Sequence, residues 1–333
     1  MKPISMIAIV GPTASGKSAL ALRLAERLSG EIVSCDSMQV YRGMDIGTAK
    51  ASSAERLAVP HHLIDVADPR LPYSAADYAG EALAAVREIA SRGRLPILCG
   101  GTGLYLEALR RGRHGDSPGG DAALRCALMR EGEQDGGREA LHARLAALDP
   151  DATAAIHPNN LRRVVRALEL CLLTGKTKTA LDAEGAALSP ELRMLVLRLA
   201  YTDRALLTER IDRRVDEMME AGLIDEVRGL REAGMLPDGS TAAEAIGYKE
   251  LYPYLDGAIS RDEAAKAIKL ATRQYAKRQD TWFRRTEGAV TLTGDEGGAV
   301  RSLASLVDEA ETLVLAHLAG KNELINNRKE TIP

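Results

Sequence analysis

The chain has 333 residues, and 44 lysines and arginines against 47 aspartates and glutamates leave a formal net charge of −3. Hydrophobic residues make up 45% and charged residues 27% of the sequence, which excludes a chain that is mostly disordered. No apolar run approaches the roughly 18 residues of a membrane-spanning helix. The first apolar run, at 4–10, leads into a glycine loop and not into a signal cleavage site, so we predict a cytoplasmic protein with no membrane partner.

The first hundred residues alternate short apolar runs with helical patterns, which predicts a parallel α/β sheet. We expect strands at 4–10, 32–35 and 95–99 and a helix at 17–29. A further helix should begin at the capping-box pair of Ser74 and Asp77.

The composition changes to Gly, Pro, Asp and Ser at 112–120, which indicates a linker. Residues 121–185 show helical patterns without a strand candidate, and strands are expected again at 194–200 and 290–292. We therefore predict a P-loop parallel-sheet core with an all-helical insertion domain. The predicted bounds are 1–117 and 190–318 for the catalytic core, 118–189 for the insertion, and 319–333 for a flexible tail.

The four cysteines are scattered and form no CxxC pair, and the six histidines show no zinc spacing. We predict four buried free thiols at Cys35, Cys99, Cys126 and Cys171, as is usual in a reducing compartment.

The segment GPTASGKS fits the pattern GxxxxGK[ST] between a predicted strand and a predicted helix, which is the context of a phosphate-binding loop. Inward-pointing backbone N–H groups and the helix N-terminus would hold a phosphorylated ligand. We assign Lys17 to the phosphate oxygens and Ser18 to a Mg²⁺ ion, although the loop alone leaves the ligand open between nucleotides and other diphosphates. The predicted phosphate contacts are Gly11, Pro12, Thr13, Ala14, Ser15, Gly16, Lys17 and Ser18.

Asp36 directly follows the second predicted strand, at the edge of the sheet where ligands bind in open α/β folds. A carboxylate there can accept a proton from an incoming nucleophile, whereas a plain helix cap or turn residue is the alternative. An NTPase would also show an acidic residue at the end of a strand, but the strand at 95–99 ends in Cys-Gly-Gly, and Asp65 is a weak substitute.

Seven blocks of the sequence resemble the tRNA dimethylallyltransferase family. They follow the family's order from residue 4 to about residue 285. Two positions depart from the family pattern, with Ala51 at a usual proline and Asn160 at a frequent aspartate. The blocks are GPTASGKS (11–18), DSMQVYRGMDIGTAK (36–50), VPHHLID (59–65), GGTGLY (100–105), IHPNNLRRVVRALE (156–169), AIGYKE (245–250) and TRQYAKRQDTWFRR (272–285).

The resemblance implies an enzyme that transfers the dimethylallyl group of dimethylallyl diphosphate to N6 of adenine 37. That base lies beside the anticodon of tRNAs that read codons beginning with U. The catalytic residues would be Asp36, Thr13 and Lys17, with Mg²⁺ at Ser18. Arg210 and Arg214 would be candidates for contact with the diphosphate.

The resemblance also implies contacts with the tRNA anticodon stem-loop. Asp36, Ser37, Met38 and Gln39 would line the adenine pocket, and Gln39 offers both a donor and an acceptor to an adenine edge. Seven basic residues and one acid at 266–285 give a local balance of +6, and Lys266, Lys269, Arg273, Lys277 and Arg284 form one predicted helical stripe. The other predicted tRNA contacts are Thr102, Asn160, Arg162, Arg163, Gly247, Tyr248, Lys249 and Arg278, and Arg166 would join Arg162 and Arg163 in a second basic group.

Three other functions remain open from the residues themselves. The same loop and Asp36 would serve prenyl transfer to free adenine nucleotides or a P-loop small-molecule kinase. A non-catalytic RNA-binding module that senses nucleotides is the third. We predict a monomer in each case.

Overall fold

The computed structural model describes residues 3–112, 120–185 and 187–321. It divides into two compact units, Met1–Arg110 with Pro190–Pro333, and Arg111–Ser189. The predicted boundary at 117/118, most of the predicted linker and most of the predicted tail lie outside the described residues. Within the described part, no helix is both long and apolar enough to cross a membrane.

The larger unit contains a six-stranded parallel sheet in the order β3-β2-β4-β1-β5-β6, which confirms the predicted fold class. A separate antiparallel pair, β7 with β8, follows it. The strands are β1 Ile4–Val10, β2 Gly30–Ser34, β3 His61–His62, β4 Leu95–Gly100, β5 Leu192–Ala200, β6 Val290–Thr293, β7 Asp295–Glu296 and β8 Ala299–Val300.

Helices cover both faces of this sheet because alternate strand residues point to opposite sides. Ile7 and Ile9 pack on one face with apolar side chains of α1 and α14, and Met6, Ala8 and Val10 pack on the other with α3, α4, α10, α11 and α13. The helices of this unit are α1 Lys17–Leu28, α2 Ser53–Ala58, α3 Ala75–Ser91, α4 Gly103–Arg110, α10 Arg204–Glu220, α11 Leu223–Glu232, α12 Tyr252–Leu255, α13 Arg261–Arg284 and α14 Leu303–Leu318, with a 3-10 helix at Lys249–Leu251.

The described residues of the smaller unit form five helices and no strand. Leu141, Leu145, Val164 and Leu168 lie at the centre of its own apolar core. The helices are α5 Ala122–Gly132, α6 Gly137–Leu148, α7 Pro150–Ala155, α8 Leu161–Thr174 and α9 Lys178–Glu184.

A local sequence signal explains where α3 begins. The predicted capping box is present at α3, where the Ser74 side chain accepts from the Asp77 N–H and the Asp77 side chain accepts from the Ser74 N–H.

The cysteine prediction is wrong at one position, because all four thiols are free but Cys126 is exposed.

Candidate active site

The phosphate loop leaves the carboxyl end of β1 and enters α1 through two glycines with positive φ angles, Gly11 (φ 147°) and Gly16 (φ 99°). A Cβ atom at Gly11 would lie 2.4 Å from the Leu199 carbonyl oxygen on β5, so no larger residue fits there. The Tyr201 hydroxyl donates to the Ser15 carbonyl (3.2 Å), while the buried Ser15 hydroxyl has no hydrogen-bond partner among the described residues. The loop is therefore fixed by its own strand and its neighbour, as a preformed anion site requires.

Gln279 on α13 ties this loop to the end of β4. The Thr13 N–H donates to Gln279 Oε1 (2.8 Å), and Gln279 Nε2 donates to the Gly101 carbonyl (2.9 Å). Gln279 is buried, and its amide uses donor and acceptor to join two strand ends that are distant in sequence. Sequence reasoning missed this residue, although it lies inside the TRQYAKRQDTWFRR block.

Three cationic side chains surround the loop, and they have different roles. The Lys17 ammonium donates to the Pro12 carbonyl (3.3 Å). Burial lowers the pKa of Lys17, and the positive charge of the nearby Arg214 lowers it further. Arg210 Nε donates to the Ala14 carbonyl (2.8 Å), so Arg210 supports the loop backbone. Burial also lowers the pKa of Arg214, and this side chain has no ion-pair partner among the described residues. The nearby Asp36 and Glu217 carboxylates raise the pKa of Arg214 and oppose the effect of burial. Arg214 is therefore a partly desolvated cation beside the loop, which is suited to an anionic ligand.

Asp36 lies just beyond β2 in a tight turn. Its Oδ1 accepts from the Met38 N–H (2.9 Å) and, at 3.4 Å, from the Gln39 N–H, whereas Oδ2 has no hydrogen-bond partner in the described part of the chain. The turn is attached to the end of β4, because the Ser37 N–H donates to the Thr102 hydroxyl (2.9 Å). One carboxylate oxygen is thus used to orient the side chain, and the other can accept a proton.

Two adjoining cavities of about 880 and 120 Å³ meet at the phosphate loop. Lys17, Ser18 and Arg214 line both. The larger cavity also includes Arg210, and the smaller one includes Asp36. The structure therefore brings together the predicted catalytic residues Thr13, Lys17 and Asp36, all of which line the smaller cavity with Tyr275 and Gln279.

Gln39 lines the smaller cavity, but its amide is already engaged. Nε2 donates to the Thr48 (3.1 Å) and Ala49 (3.2 Å) carbonyls, and Oε1 accepts from the Ser34 hydroxyl (2.9 Å). In this structure the Gln39 amide nitrogen holds the loop at 45–50, and the predicted contact of Gln39 with an adenine edge stays a prediction.

Tyr248, a predicted tRNA contact, is fully buried in this structure with 0% exposure, and its contact with tRNA stays a prediction. Its hydroxyl donates to Glu226 Oε1 (2.6 Å), and Glu226 on α11 also accepts from the N–H groups of Asp45 (2.9 Å), Ile46 (2.7 Å) and Gly47 (3.1 Å). We call Glu226 and Tyr248 the loop brace. Two neighbouring residues were also predicted to contact tRNA. The Gly247 N–H donates to Glu250 Oε2 (2.8 Å), and Lys249 Nζ lies 3.6 Å from Glu244 Oε2.

The predicted basic stripe on α13 is partly neutralised by acids of α10. Lys269 pairs with Asp216 (2.6 Å) and Arg273 with Asp212 (2.9 Å), so these two cations join the two helices and their charges are partly offset. Arg284 pairs with Asp280 (2.5 Å) on its own helix. The predicted balance of +6 at 266–285 thus overstates the free charge, because the acids that offset it are distant in sequence.

The start of α8 in the smaller unit keeps its predicted basic residues exposed. Asn160 caps this helix without a side-chain hydrogen bond, and Arg162 and Arg163 have no ion-pair partner among the described residues. Arg166 differs from them, because it contacts Glu169 (2.7 Å), which is fully buried. The expected group of three arginines is therefore a pair.

Comparison with known proteins identifies the family of the chain. The family described as IPP transferase matches residues 39–286, and the family described as isopentenyl transferase matches residues 4–70. The tRNA dimethylallyltransferase of Geobacter metallireducens is 51% identical over 280 residues, which cover 84% of this chain and 89% of the relative. That of Roseiflexus sp. is 47% identical over 91% of this chain and 98% of the relative.

Solved structures show the same similarity. A eukaryotic dimethylallyltransferase that acts on tRNA superposes with a TM-score of 0.81 at 29% identity, covering 95% of this chain and 80% of that one. The tRNA isopentenylpyrophosphate transferase of Bacillus halodurans gives a TM-score of 0.69 at 42% identity, with 96% and 99% covered. The chain belongs to the tRNA dimethylallyltransferase family.

Proposed function

We propose that this protein transfers the dimethylallyl group of dimethylallyl diphosphate to N6 of adenine 37 in tRNAs that read codons beginning with U. The observation that carries the proposal is the smaller cavity, which Lys17 and Ser18 of the phosphate loop line together with Arg214 and Asp36. Its support from the comparisons is family membership and the names of the relatives.

The diphosphate would lie in the loop formed by residues 11–18, against Lys17 and Arg214. As the bond between C1 of the allyl group and the diphosphate oxygen breaks, negative charge grows on the leaving group, and the cations around it stabilise that charge. Thr13 is fixed at its backbone by Gln279 and lines the smaller cavity, and its hydroxyl would donate to the departing oxygen, as the family resemblance implies.

The attacking N6 amine would be held by Asp36. In the reaction, N6 forms a bond to C1, the diphosphate leaves with the electrons of the C–O bond, and Asp36 Oδ2 accepts the N6 proton. An adenine amine is a weak nucleophile, so alignment within a confined cavity supplies much of the acceleration. The target base must leave its stack to enter this cavity.

The residues fit a magnesium ion held mainly by the ligand. No group of three acidic, histidine or cysteine side chains that could bind a metal exists among the described residues, whereas Ser18 lines both cavities beside the phosphate loop. Mg²⁺ commonly binds through substrate phosphates, waters and one or two protein oxygens. Ser18 would supply its hydroxyl, and the ion would neutralise diphosphate charge.

The test is a product assay. Dimethylallyl diphosphate, Mg²⁺ and unmodified tRNA are incubated with the protein, and the digested RNA is analysed by mass spectrometry. We expect an adenosine heavier by one C5 unit at the position beside the anticodon. Its absence, prenylation of AMP in preference to tRNA, or ATP turnover with a small acceptor would contradict the proposal. The cytoplasmic location and the monomeric state stay predictions.

A further inference from the structure

One side of α13 carries alternating aromatic and basic side chains. Tyr275, Arg278, Trp282 and Arg285 follow one another at intervals of three, four and three residues, so they share one side of the helix. The Arg278 guanidinium lies over the Tyr275 ring at 5.7 Å. Neither Arg278 nor Arg285 has an ion-pair partner in the described part of the chain. We call these four residues the aromatic–basic face.

Trp282 packs against the backbone at Gly103 and stays partly exposed to solvent. A Cβ atom at Gly103 would lie 2.2 Å from Trp282 Nε1, so the indole packs directly on the backbone at the start of α4. The side chain nevertheless stays 41% exposed, and its N–H has no acceptor among the described residues. The adjacent Leu104 is 56% exposed. A large, rigid ring that packs against backbone and stays partly exposed is suited to stacking on a base.

The aromatic–basic face continues from the candidate active site. Tyr275 lines the smaller cavity with Asp36, and Gln279, one turn further along α13, joins Thr13 to Gly101. Seven residues of helix separate Tyr275 from Trp282, which is about 10 Å. That distance corresponds to about three steps of a stacked nucleic-acid strand.

We propose that Trp282 stacks on an unpaired base of the tRNA anticodon loop, close to the adenine that enters the Asp36 cavity, while Arg278 and Arg285 contact phosphates of the same strand. This inference rests on the proposed function. Two unpaired guanidinium groups beside an exposed indole favour a polyanion with flat bases over an apolar protein segment. The ion-paired Lys269 and Arg273 contribute less.

The chain offers a direct probe, because Trp282 is its only tryptophan. Intrinsic fluorescence is recorded while an anticodon stem-loop RNA with an unmodified adenine is added to the full-length protein. We expect saturable quenching with the same Kd that anisotropy of a labelled RNA gives. A set of stem-loops, each with one abasic loop position, should lose the quenching at one base other than the target adenine.

Variants separate stacking from folding. Trp282→Ala should weaken stem-loop binding by about 5- to 150-fold, the range for loss of one stacked base, and Trp282→Phe should retain most of the affinity. Leu270→Ala is the matched control, because Leu270 is also apolar and 56% exposed on α13 but lies off the aromatic–basic face. The loss in Trp282→Ala should appear in the Kd and in the KM for tRNA, whereas Leu270→Ala should leave both near the parent values.

Unchanged fluorescence on RNA binding would overturn the inference, as would equal RNA affinities for Trp282→Ala and Leu270→Ala. Fluorescence that depends on protein concentration without RNA would instead assign this face to a second copy of the chain. If the parent protein prenylates tRNA while any of these outcomes is found, the inference fails and the proposed function stands. If it binds RNA with quenching but does not prenylate it, the proposed function fails alone.

Discussion

Glu226 is the side chain whose replacement tests how the active-site loop is held. It accepts four hydrogen bonds, three of them from the backbone of Asp45, Ile46 and Gly47. The loop that follows lines both cavities through Ala49 and Lys50. Glu226→Gln keeps the size of the side chain but removes its charge.

The magnitude follows from the hydrogen bonds that the substitution removes. A glutamine oxygen accepts two hydrogen bonds at most, so two charge-assisted bonds are lost, each of which contributes about 1.5–3 kcal/mol. Because part of the loop is exposed and water can replace a lost partner, we expect opening of the loop to become easier by about 2–4 kcal/mol. That corresponds to about 30- to 700-fold faster amide exchange.

Hydrogen exchange followed by mass spectrometry or NMR measures the opening of the loop at the amides of Asp45, Ile46 and Gly47. The matched control is Glu232→Gln, because Glu232 lies exposed at the end of the same helix without a hydrogen-bond partner among the described residues. In Glu226→Gln the KM for the donor should also rise. Equal exchange rates in the two variants would refute the role of the loop brace.

Three further predictions concern the site and the RNA contacts. Asp36→Asn should lower kcat by about 10²- to 10⁴-fold while most of the affinity for tRNA is retained. An unaltered kcat in single-turnover assays would exclude Asp36 as the proton acceptor. Burial lowers the pKa of Lys17, so this side chain loses its charge at a pH below the usual lysine value of about 10.4. The KM for the donor should therefore rise as the pH increases through that lowered pKa. A KM that stays constant up to about pH 10.4 would contradict this prediction. Replacing Arg162 and Arg163 by alanine should reduce the slope of log Kd against log salt concentration by about one unit for each phosphate that the variant no longer neutralises. The control is Arg138→Ala, which replaces another exposed arginine and should leave the slope unchanged. Equal slopes in the two variants would show that Arg162 and Arg163 do not contact the RNA.

Features fixed by short-range pattern were predictable from the sequence. The phosphate loop depends on the residues between one strand and one helix, and Asp36 reaches the site because the carboxyl ends of parallel strands share an edge. The strand β3 was missed because two residues carry no periodicity, and it exists through its pairing with β2.

Features that depend on distant partners were not predictable. Gln279 contacts Thr13 across 266 positions of sequence, and no local signal marks that contact. Tyr248 has a polar tip on an apolar ring, so its residue type fits either a buried brace or a surface contact. The neutralisation of Arg273 requires knowledge that α10 packs on α13, which a helical charge pattern does not contain.

The most direct test of the central claim is a crystal structure with an unreactive thiolodiphosphate analogue of the donor and an anticodon stem-loop. We predict that the diphosphate lies in the loop at residues 11–18 against Lys17 and Arg214. The N6 atom of the target adenine should lie within about 3 Å of Asp36 Oδ2. An Asp36 carboxylate that points away from both ligands would contradict the account, as would a loop that accepts nucleoside triphosphates but not the allylic diphosphate.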